Sequence, residues 1–375
     1  MRVLVAPDSF KGTLNAVSAA EVISAGLRQV LPEVELDLCP MADGGQGLVA
    51  AFSSARNAEI KASVACDPLG REIDATWSLH RPSKTAVLEI AAASGFERLA
   101  PSDRDPLTTT TFGTGQIINT AIHEGARTII VGLGDSATID GGLGLCQALG
   151  VRLEGISGYA TGGKLQQIRS VVLSDLHPEI PDIDLIVACD VENPLCGPNG
   201  AVQVFGAQKG ATAESTPILA SGLEHLAHLI NLEASKLPGS GAAGGAAFGM
   251  RELLGARLVR GIELVMNFVD FDVRAKKADL IITGEGRLDS QSLQGKTCIG
   301  LSRRARDLHV PVIALAGSIT GNTAGFAHEG ISACYSLTDI APDMRCAMDD
   351  AAAYLEEAAR YAFTRFLYAR DHKNG

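Results

Sequence analysis

Aromatic side chains make up only 5% of the 375 residues, with a single Trp, and no uninterrupted apolar stretch is long enough to span a bilayer. A membrane-spanning helix is thereby excluded. Basic excess is also missing. The chain has 43 Asp and Glu against 32 Lys and Arg, a net charge of −11, whereas nucleic-acid binding requires a concentrated basic face. The eight cysteines include no CxxC and no Cys/His cluster, Cys189 and Cys196 being the nearest pair. Structural zinc has no sequence basis, and the thiols read as small buried residues of a reducing cytosol. Several catalytic signatures are absent too: a GxxxxGK[ST] loop, a protein-kinase catalytic loop, a Ser-His-Asp elbow and HExxH. The eight histidines stand apart from the glycine loops described below, and His225 and His228 are expected on an exposed helical face.

What is present is small and apolar: 46% hydrophobic residues and 41 glycines, the composition of an α/β enzyme. The length exceeds one ordinary core, so two domains are expected. Met1-Arg2 runs directly into the strand-like Val3-Leu4-Val5-Ala6, which predicts a soluble cytoplasmic protein without a leader.

Residues 3–6 form a short apolar run suited to a strand buried on both faces. Asn15 can cap a helix carrying Ala19, Ile23, Leu27 and Val30, which Pro32 ends before a second strand over 34–39. The C-terminal third repeats this grammar with strands at 280–282, 312–315 and 331–334 and a final helix bearing Leu355, Ala358, Ala362 and Phe366. Five such strands predict a doubly wound parallel sheet. In the middle, β-like runs at 60–64, 72–79 and 85–90 lie too close in sequence for parallel crossovers, so they predict antiparallel pairing. Further strands at 128–131 and 185–188 and a helix with Leu219, Leu223, Leu226 and Ile230 complete this part. The fold class is therefore α/β: a doubly wound domain from residues 1–57 and 278–375, with a mixed α/β domain inserted at 58–277. A cleft between two such domains would close about its ligands near those crossings.

Short loops of glycine and charge follow the apolar runs: Pro7-Asp8-Ser9-Phe10-Lys11-Gly12, Ala42-Asp43-Gly44-Gly45-Gln46-Gly47, residues 134–142, Asp190-Val191-Glu192-Asn193-Pro194 and Gly284-Glu285-Gly286-Arg287-Leu288-Asp289. Glycine lets backbone approach a ligand, and carboxylates beside Lys and Arg suit a metal-bound polyphosphate. One acid after a strand is more often a cap or a turn former. Asp8, Asp43 and Glu285 with Arg287, all beyond strands of one sheet, point instead to a ligand at the strand ends. Lys11, Lys209 and Lys296 are the lysines set in glycine loops, where phosphate contacts compete with plain solvation. Two stretches match a dinucleotide glycine pattern. In 132–137, Asp135 sits inside the phosphate turn and Asp140-Gly141-Gly142 interrupts the helix the pattern requires. The second, 239–244, follows a helix end and suits either a phosphate nest or a tight helix contact.

Together these loops resemble the bacterial glycerate kinase family, type one, over essentially the whole chain. The matching segments include residues 6–11, 42–45, 89–95, 112–115, 136–138, 140–142, 188–191, 193–195, 208–211 and 283–287. The resemblance implies a flavodoxin-like domain plus a second α/β domain, and ATP-dependent phosphorylation of D-glycerate with Mg²⁺. On that reading the expected catalytic residues are Asp8, Lys11, Asp43, Asp190 and Arg287. Nucleotide contacts fall to Lys209, Gly241, Gly244, Gly245, Glu285 and Lys296, and substrate contacts to Ser9, Ser94, Thr114 and Ser136. Asp190 and Glu285 would hold the metal; Asp8 or Asp43 would accept the substrate proton. Relatives usually carry Glu where this chain has Gln46, Gly where it has Asp135 and Pro where it has Ala207. A nicotinamide-dependent hydroxy-acid dehydrogenase using the 132–137 turn, and an inactive ligand-sensing paralogue, are the alternatives. Oligomeric state and the choice between the 2- and 3-hydroxyl stay open at this level.

Overall fold

The computed structural model describes residues 1–10, 12–289, 292–294, 297–320 and 323–373. In chain order the strands are β1 (Arg2–Pro7), β2 (Glu35–Leu38), β3 (Glu59–Cys66), β4 (Glu72–His80), β5 (Thr85–Glu89), β6 (Thr128–Gly132), β7 (Arg152–Glu154), β8 (Ser170–Val172), β9 (Asp184–Ala188), β10 (Arg257–Val259), β11 (Leu280–Leu288), β12 (Val312–Ile319) and β13 (Ile331–Ser336). The chain divides into a terminal unit, Met1–Asp43 with Ile262–Gly375, and a central unit, Gly44–Gly261. The chain passes between them at 43/44 and 261/262, where the sequence reading has 57/58 and 277/278. Three helices account for the difference. Leu48–Arg56 packs on β4 and β5 of the central unit, burying Leu48 and Phe52. Gly261–Phe268 (all but its first residue) and Phe271–Ala275 fall with the terminal strands.

In the terminal unit the five strands run parallel in the order β13-β12-β11-β1-β2. Counted within the unit this is the 2-1-3-4-5 order of flavodoxin-like sheets. Alternate residues of β12 serve opposite faces, as the two-residue period of a strand requires. Ile313 and Leu315 pack with Ala19, Ile23, Leu27, Leu355, Ala358, Ala362 and Phe363, whereas Ala314 and Ala316 pack with Cys298, Ile299 and Phe326. The first helix, Ala16–Val30, starts where the sequence reading has it. The Asn15 side chain accepts from the Ser18 N–H at 2.9 Å, satisfying one of the open donors of the first turn. Truncating Phe363, wholly buried on the helix Ala351–Lys373 against the first helix and the sheet, would cost about 3–5 kcal/mol.

The central sheet has the order β10-β9-β6-β5-β4-β3, parallel from β10 to β5 and antiparallel from β5 to β3. The short links before β4 and β5 leave room only for antiparallel hairpins. Trp77 on β4 is completely buried, and its indole N–H donates to the Ser63 hydroxyl at 2.7 Å. The two-stranded ribbon β7–β8 and strand β10 have no counterpart in the sequence reading. Each strand has three residues, too few for a periodicity to register. The parallel strands end in line, Glu89 opposite Gly132, Gly132 opposite Ala188 and Ala188 opposite Val259. The loops that follow these four residues carry most of the unit's chemically distinctive side chains. No helix among the described residues is long and apolar enough to cross a membrane.

Candidate active site

In the terminal unit, Asp8 and Glu285 of the expected site residues lie where β1 and β11 run side by side. Pro7 pairs with Gly284, and the Asp8 N–H donates to the Gly284 carbonyl at 2.8 Å. Asp8 is 7% exposed; one carboxylate oxygen accepts from the Thr297 hydroxyl at 2.5 Å and the other from the Ser9 N–H at 2.6 Å. Glu285, 8% exposed, follows at once on β11. Both carboxylates bear on the buried Cys298 thiol, which burial first, and then these two charges, push well above its ordinary range. That thiol is consequently an inert packing group rather than a nucleophile.

The motif 284–289 is not the loop the sequence reading expects. Gly284 to Leu288 continue β11, with Gly284, Glu285, Arg287 and Leu288 paired to Leu315, Ala316, Ser318 and Ile319 of β12, so the ladder takes up backbone groups that a loop would leave open. Arg287 stands exposed opposite Ser318, and Ser9 and Asp43 are half-buried beyond β1 and β2. Lys11 and Lys296 lie outside the described residues.

In the central unit the loop after β6, residues 133–142, is held from several sides. Asp140, completely buried, accepts from the Thr111 N–H and hydroxyl, both at 2.7 Å, and from the N–H groups of Gly142 at 3.0 Å and Gly144 at 3.2 Å. Burial raises its carboxyl even so, against those donors. Three consecutive carbonyls on the loop are each taken: Asp135 by the Phe96 N–H at 3.1 Å, Ser136 by the Lys209 ammonium at 2.6 Å, and Ala137 by the Thr109 hydroxyl at 3.1 Å. The Lys209 Nζ also donates to the Ser136 hydroxyl.

Glu89, at the end of β5, accepts from the N–H groups of Gly47 and Val49, both at 3.0 Å, at the start of the helix Leu48–Arg56. Burial raises its carboxyl, the two N–H groups oppose this, and the nearby Asp135 adds to it. Asp190, half-buried after β9, accepts from the Gly261 N–H at 3.0 Å. Glycines bring the loop 44–47 against the loop after β6. A Cβ at Gly132 would lie 2.5 Å from the Gly44 carbonyl oxygen, and one at Gly134 would lie 2.7 Å from the Gly45 α-carbon and 3.5 Å from the Gln46 nitrogen. These glycines serve loop-to-loop packing, and a loop rather than a helix follows them until Leu143. The dinucleotide pattern there therefore lacks its helix, and the dehydrogenase reading loses its basis.

Several predicted site residues are turned inward. Ser94 and Thr114 are completely buried and share a hydrogen bond of 2.7 Å. Ser136 is 4% exposed. Gly241, Gly244 and Gly245 are buried against protein: a Cβ at Gly244 would lie 2.0 Å from the Thr138 carbonyl oxygen, and one at Gly241 would lie 2.3 Å from that of Pro194. With Ala243, Gly244 and Gly245 all left-handed, this is the tight backbone contact rather than an open phosphate nest. Lys209, expected among the phosphate ligands, is likewise turned inward, 3% exposed. Asp190 in the central unit and Glu285 in the terminal unit are the acids expected to bind metal, and no group of three or more His, Cys, Asp or Glu suited to a metal is gathered among the described residues. His225, expected in solvent, is half-buried with its Nε2 2.7 Å from the Ile168 carbonyl oxygen.

Glu89 and Asp140, which the sequence reading carries only inside matching segments and without a role, and Thr111 and Thr297, which it does not name, stand beside the expected site residues at these strand ends. Glu89 had a signal, an acid closing an otherwise apolar strand run; Thr297 had none.

The family model described as the glycerate kinase family matches residues 3–367. The chain belongs to the glycerate kinase family. It is 43% identical to the glycerate kinase of Bacillus subtilis (strain 168) over 96% of each chain. With the glycerate 2-kinase of Escherichia coli (strain K12) it shares 41% identity over 90% of each. A crystal structure of glycerate kinase 2 from Salmonella typhimurium LT2 superposes with a TM-score of 0.83 at 37% identity, covering 99% of both chains. Membership over this span agrees with the two α/β units and with the loops that carry the shared residues.

Proposed function

We propose that this chain transfers the terminal phosphoryl group of ATP to D-glycerate, at the 2-hydroxyl. The observation that carries the reading is the match to glycerate kinases along nearly the entire chain, joined to buried, hydrogen-bonded acids at the strand ends of each unit. The 2-position follows the name of the Escherichia coli relative.

Phosphoryl transfer depends on positioning and charge neutralisation. Asp8 or Asp43 would take the proton of the attacking hydroxyl. Asp8 suits this, since the Thr297 and Ser9 donors fix its carboxylate just beyond the end of β1. Arg287, exposed at the end of β11, would neutralise phosphate or the substrate carboxylate together with Lys11 and Lys296. Mg²⁺ takes a few carboxylate oxygens plus phosphate. Asp190 or Glu285 fits that hard-oxygen chemistry, and the ion would supply neutralisation of the terminal phosphates. The hydroxyls of Ser9, Ser94, Thr114 and Ser136 stand for the substrate side, with Ser136 best situated because its loop follows the end of β6. All eight cysteines are free, which suits a reducing cytoplasm.

The test is an ATP-consumption assay with D-glycerate, the product passed to enolase with and without phosphoglycerate mutase. Turnover that reaches enolase without the mutase is the expected result. Dependence on the mutase would move the acceptor to the 3-hydroxyl, and no ADP above background would defeat the reading.

A further inference from the structure

We propose that Lys209 is a positioning residue whose ammonium fixes the Ser136 hydroxyl as a hydrogen-bond donor toward the anionic substrate. The inference rests on the reading of this chain as a D-glycerate kinase with Ser136 on the substrate side.

The first support is an economy of charge. Of the three consecutive carbonyls on the loop, those of Asp135 and Ala137 are held by a backbone N–H and by the neutral Thr109 hydroxyl. The middle one is held by a lysine that is 3% exposed. Burying an ammonium is far more costly than burying a hydroxyl, so carbonyl pinning alone does not account for it. What Lys209 does that its neighbours do not is bond the side chain of the residue whose carbonyl it holds.

The second support is hydrogen accounting. An ammonium has donors and no acceptor, so the Ser136 oxygen must accept from Nζ and cannot return its own proton there. Among the described residues Ser136 Oγ has no other protein partner. Its single O–H is therefore committed to whatever anion approaches the loop. The neighbouring backbone cannot yield: the Ala137 N–H is held by the Ser94 carbonyl at 2.8 Å and Asp140 anchors the far end.

The charges that bear on the ammonium are Asp140 and Asp135, both on this loop; Asp135 bears in turn on Glu89 at the end of β5. Burial pushes the lysine down to about 7, against those two carboxylates. Once neutral, Nζ carries a lone pair, and the Ser136 proton can turn inward to it. The substrate then loses its donor.

The test is a double-mutant cycle of Lys209→Met and Ser136→Ala, read as KM for D-glycerate, KM for ATP, kcat and melting temperature. Each single change is expected to raise the D-glycerate KM roughly 10- to 100-fold, the value of one hydrogen bond to a charged group, with the ATP KM within about twofold. In the Ser136→Ala background, Lys209→Met should add little. Additive effects, or a Lys209→Met enzyme that binds D-glycerate normally, would overturn the inference. So would equal losses for both substrates. If Lys209→Met does not fold, the pH profile decides: the wild-type D-glycerate KM should rise between about pH 6 and 8.5, and Ser136→Ala should flatten that rise. A Ser136→Ala profile parallel to the wild type would overturn it as well. A wild-type protein without glycerate kinase activity would instead strike the functional reading.

Discussion

The terminal and central units meet the same demand, holding polar groups at the ends of parallel strands, by different means. In the terminal unit the strand itself does the holding. β11 runs on through Gly284 to Leu288 with β12 beside it, so Glu285 and Arg287 are placed by the ladder, and Asp8 is tied to the Gly284 carbonyl. In the central unit the strands stop at Glu89, Gly132 and Ala188, and a ten-residue loop must be held by side chains. Buried ionisable groups do this: Asp140 with four donors and Lys209 with two acceptors. Ladder-held acids can be altered with little loss of fold, whereas a loop-held site is inseparable from the stability of its buried anchors.

The sharpest test of that contrast begins in the terminal unit. Asp8→Asn keeps shape and most hydrogen bonds, so folding should be nearly unchanged. If Asp8 is the base, kcat should fall by about 10²–10⁴-fold, the usual span for a lost general base. Asp43→Asn is the paired control. Steady-state kinetics with melting curves would assign the base to whichever change lowers kcat at constant stability, and equal small effects from both would remove the role from either acid.

Next in size is Asp140→Ala in the central unit, where stability should suffer first. The change leaves buried donors from Thr111, Gly142 and Gly144 without an acceptor, for a loss of about 3 kcal/mol or more in denaturant unfolding. A variant of ordinary stability with low activity would mean that the loop is held by its backbone alone.

Lys209→Met probes the opposite sign. Removing the buried ammonium relieves its desolvation cost but leaves the Ser136 carbonyl and hydroxyl without their donor, so at pH 7 the two effects oppose and the variant should lose less stability than Asp140→Ala. The folded lysine titrates at about 7 against a starting value of 10.5. Between those values the unfolded chain binds a proton that the folded chain does not. Wild-type stability should therefore gain from rising pH across that window, by up to ~1.4 kcal/mol per unit. Below about pH 7 both states hold the proton and the penalty is constant. The variant should lack this slope, and identical slopes in the two proteins would show that Lys209 is not the group responsible.

Much of this architecture was legible in the chain. The buried runs at 3–6 and 312–315, the Asn15 cap and the close spacing of β3 to β5 each state a local preference that the fold obeys. The glycine loops at 42–47 and 134–142 were legible as segments that follow strands. What stayed hidden was direction. A lysine in a glycine loop reads the same whether it faces solvent or, like Lys209, turns inward to Ser136, because sequence pattern reports period and not the partner across space. The glycines at 241, 244 and 245 were ambiguous for a similar reason: a missing Cβ admits a phosphate or another backbone equally well, and here Thr138 and Pro194 occupy the space. Thr297 finds Asp8 across 289 residues, a distance no local motif spans.

The smallest expected effect lies at Gln46 and Asp135, where the family resemblance implies Glu and Gly. The loop glycines bring these segments together: a Cβ on Gly134 would lie 3.5 Å from the Gln46 nitrogen. Asp135 itself is left-handed, with φ of 59°, a conformation that Asp tolerates better than most residues and Gly adopts freely. Its charge already raises the Glu89 carboxyl. Gln46→Glu alone would thus add a further carboxylate to a loop facing two acids and should lower D-glycerate affinity. Asp135→Gly alone removes one charge and some strain and should leave stability within about 1 kcal/mol. Made together, the two changes should restore what the first one lost, with a coupling of about 0.5–3 kcal/mol in kcat/KM. Strict additivity would mean that the acid at 135 does not replace one at 46, and that the central unit tolerates either charge without regard to the other.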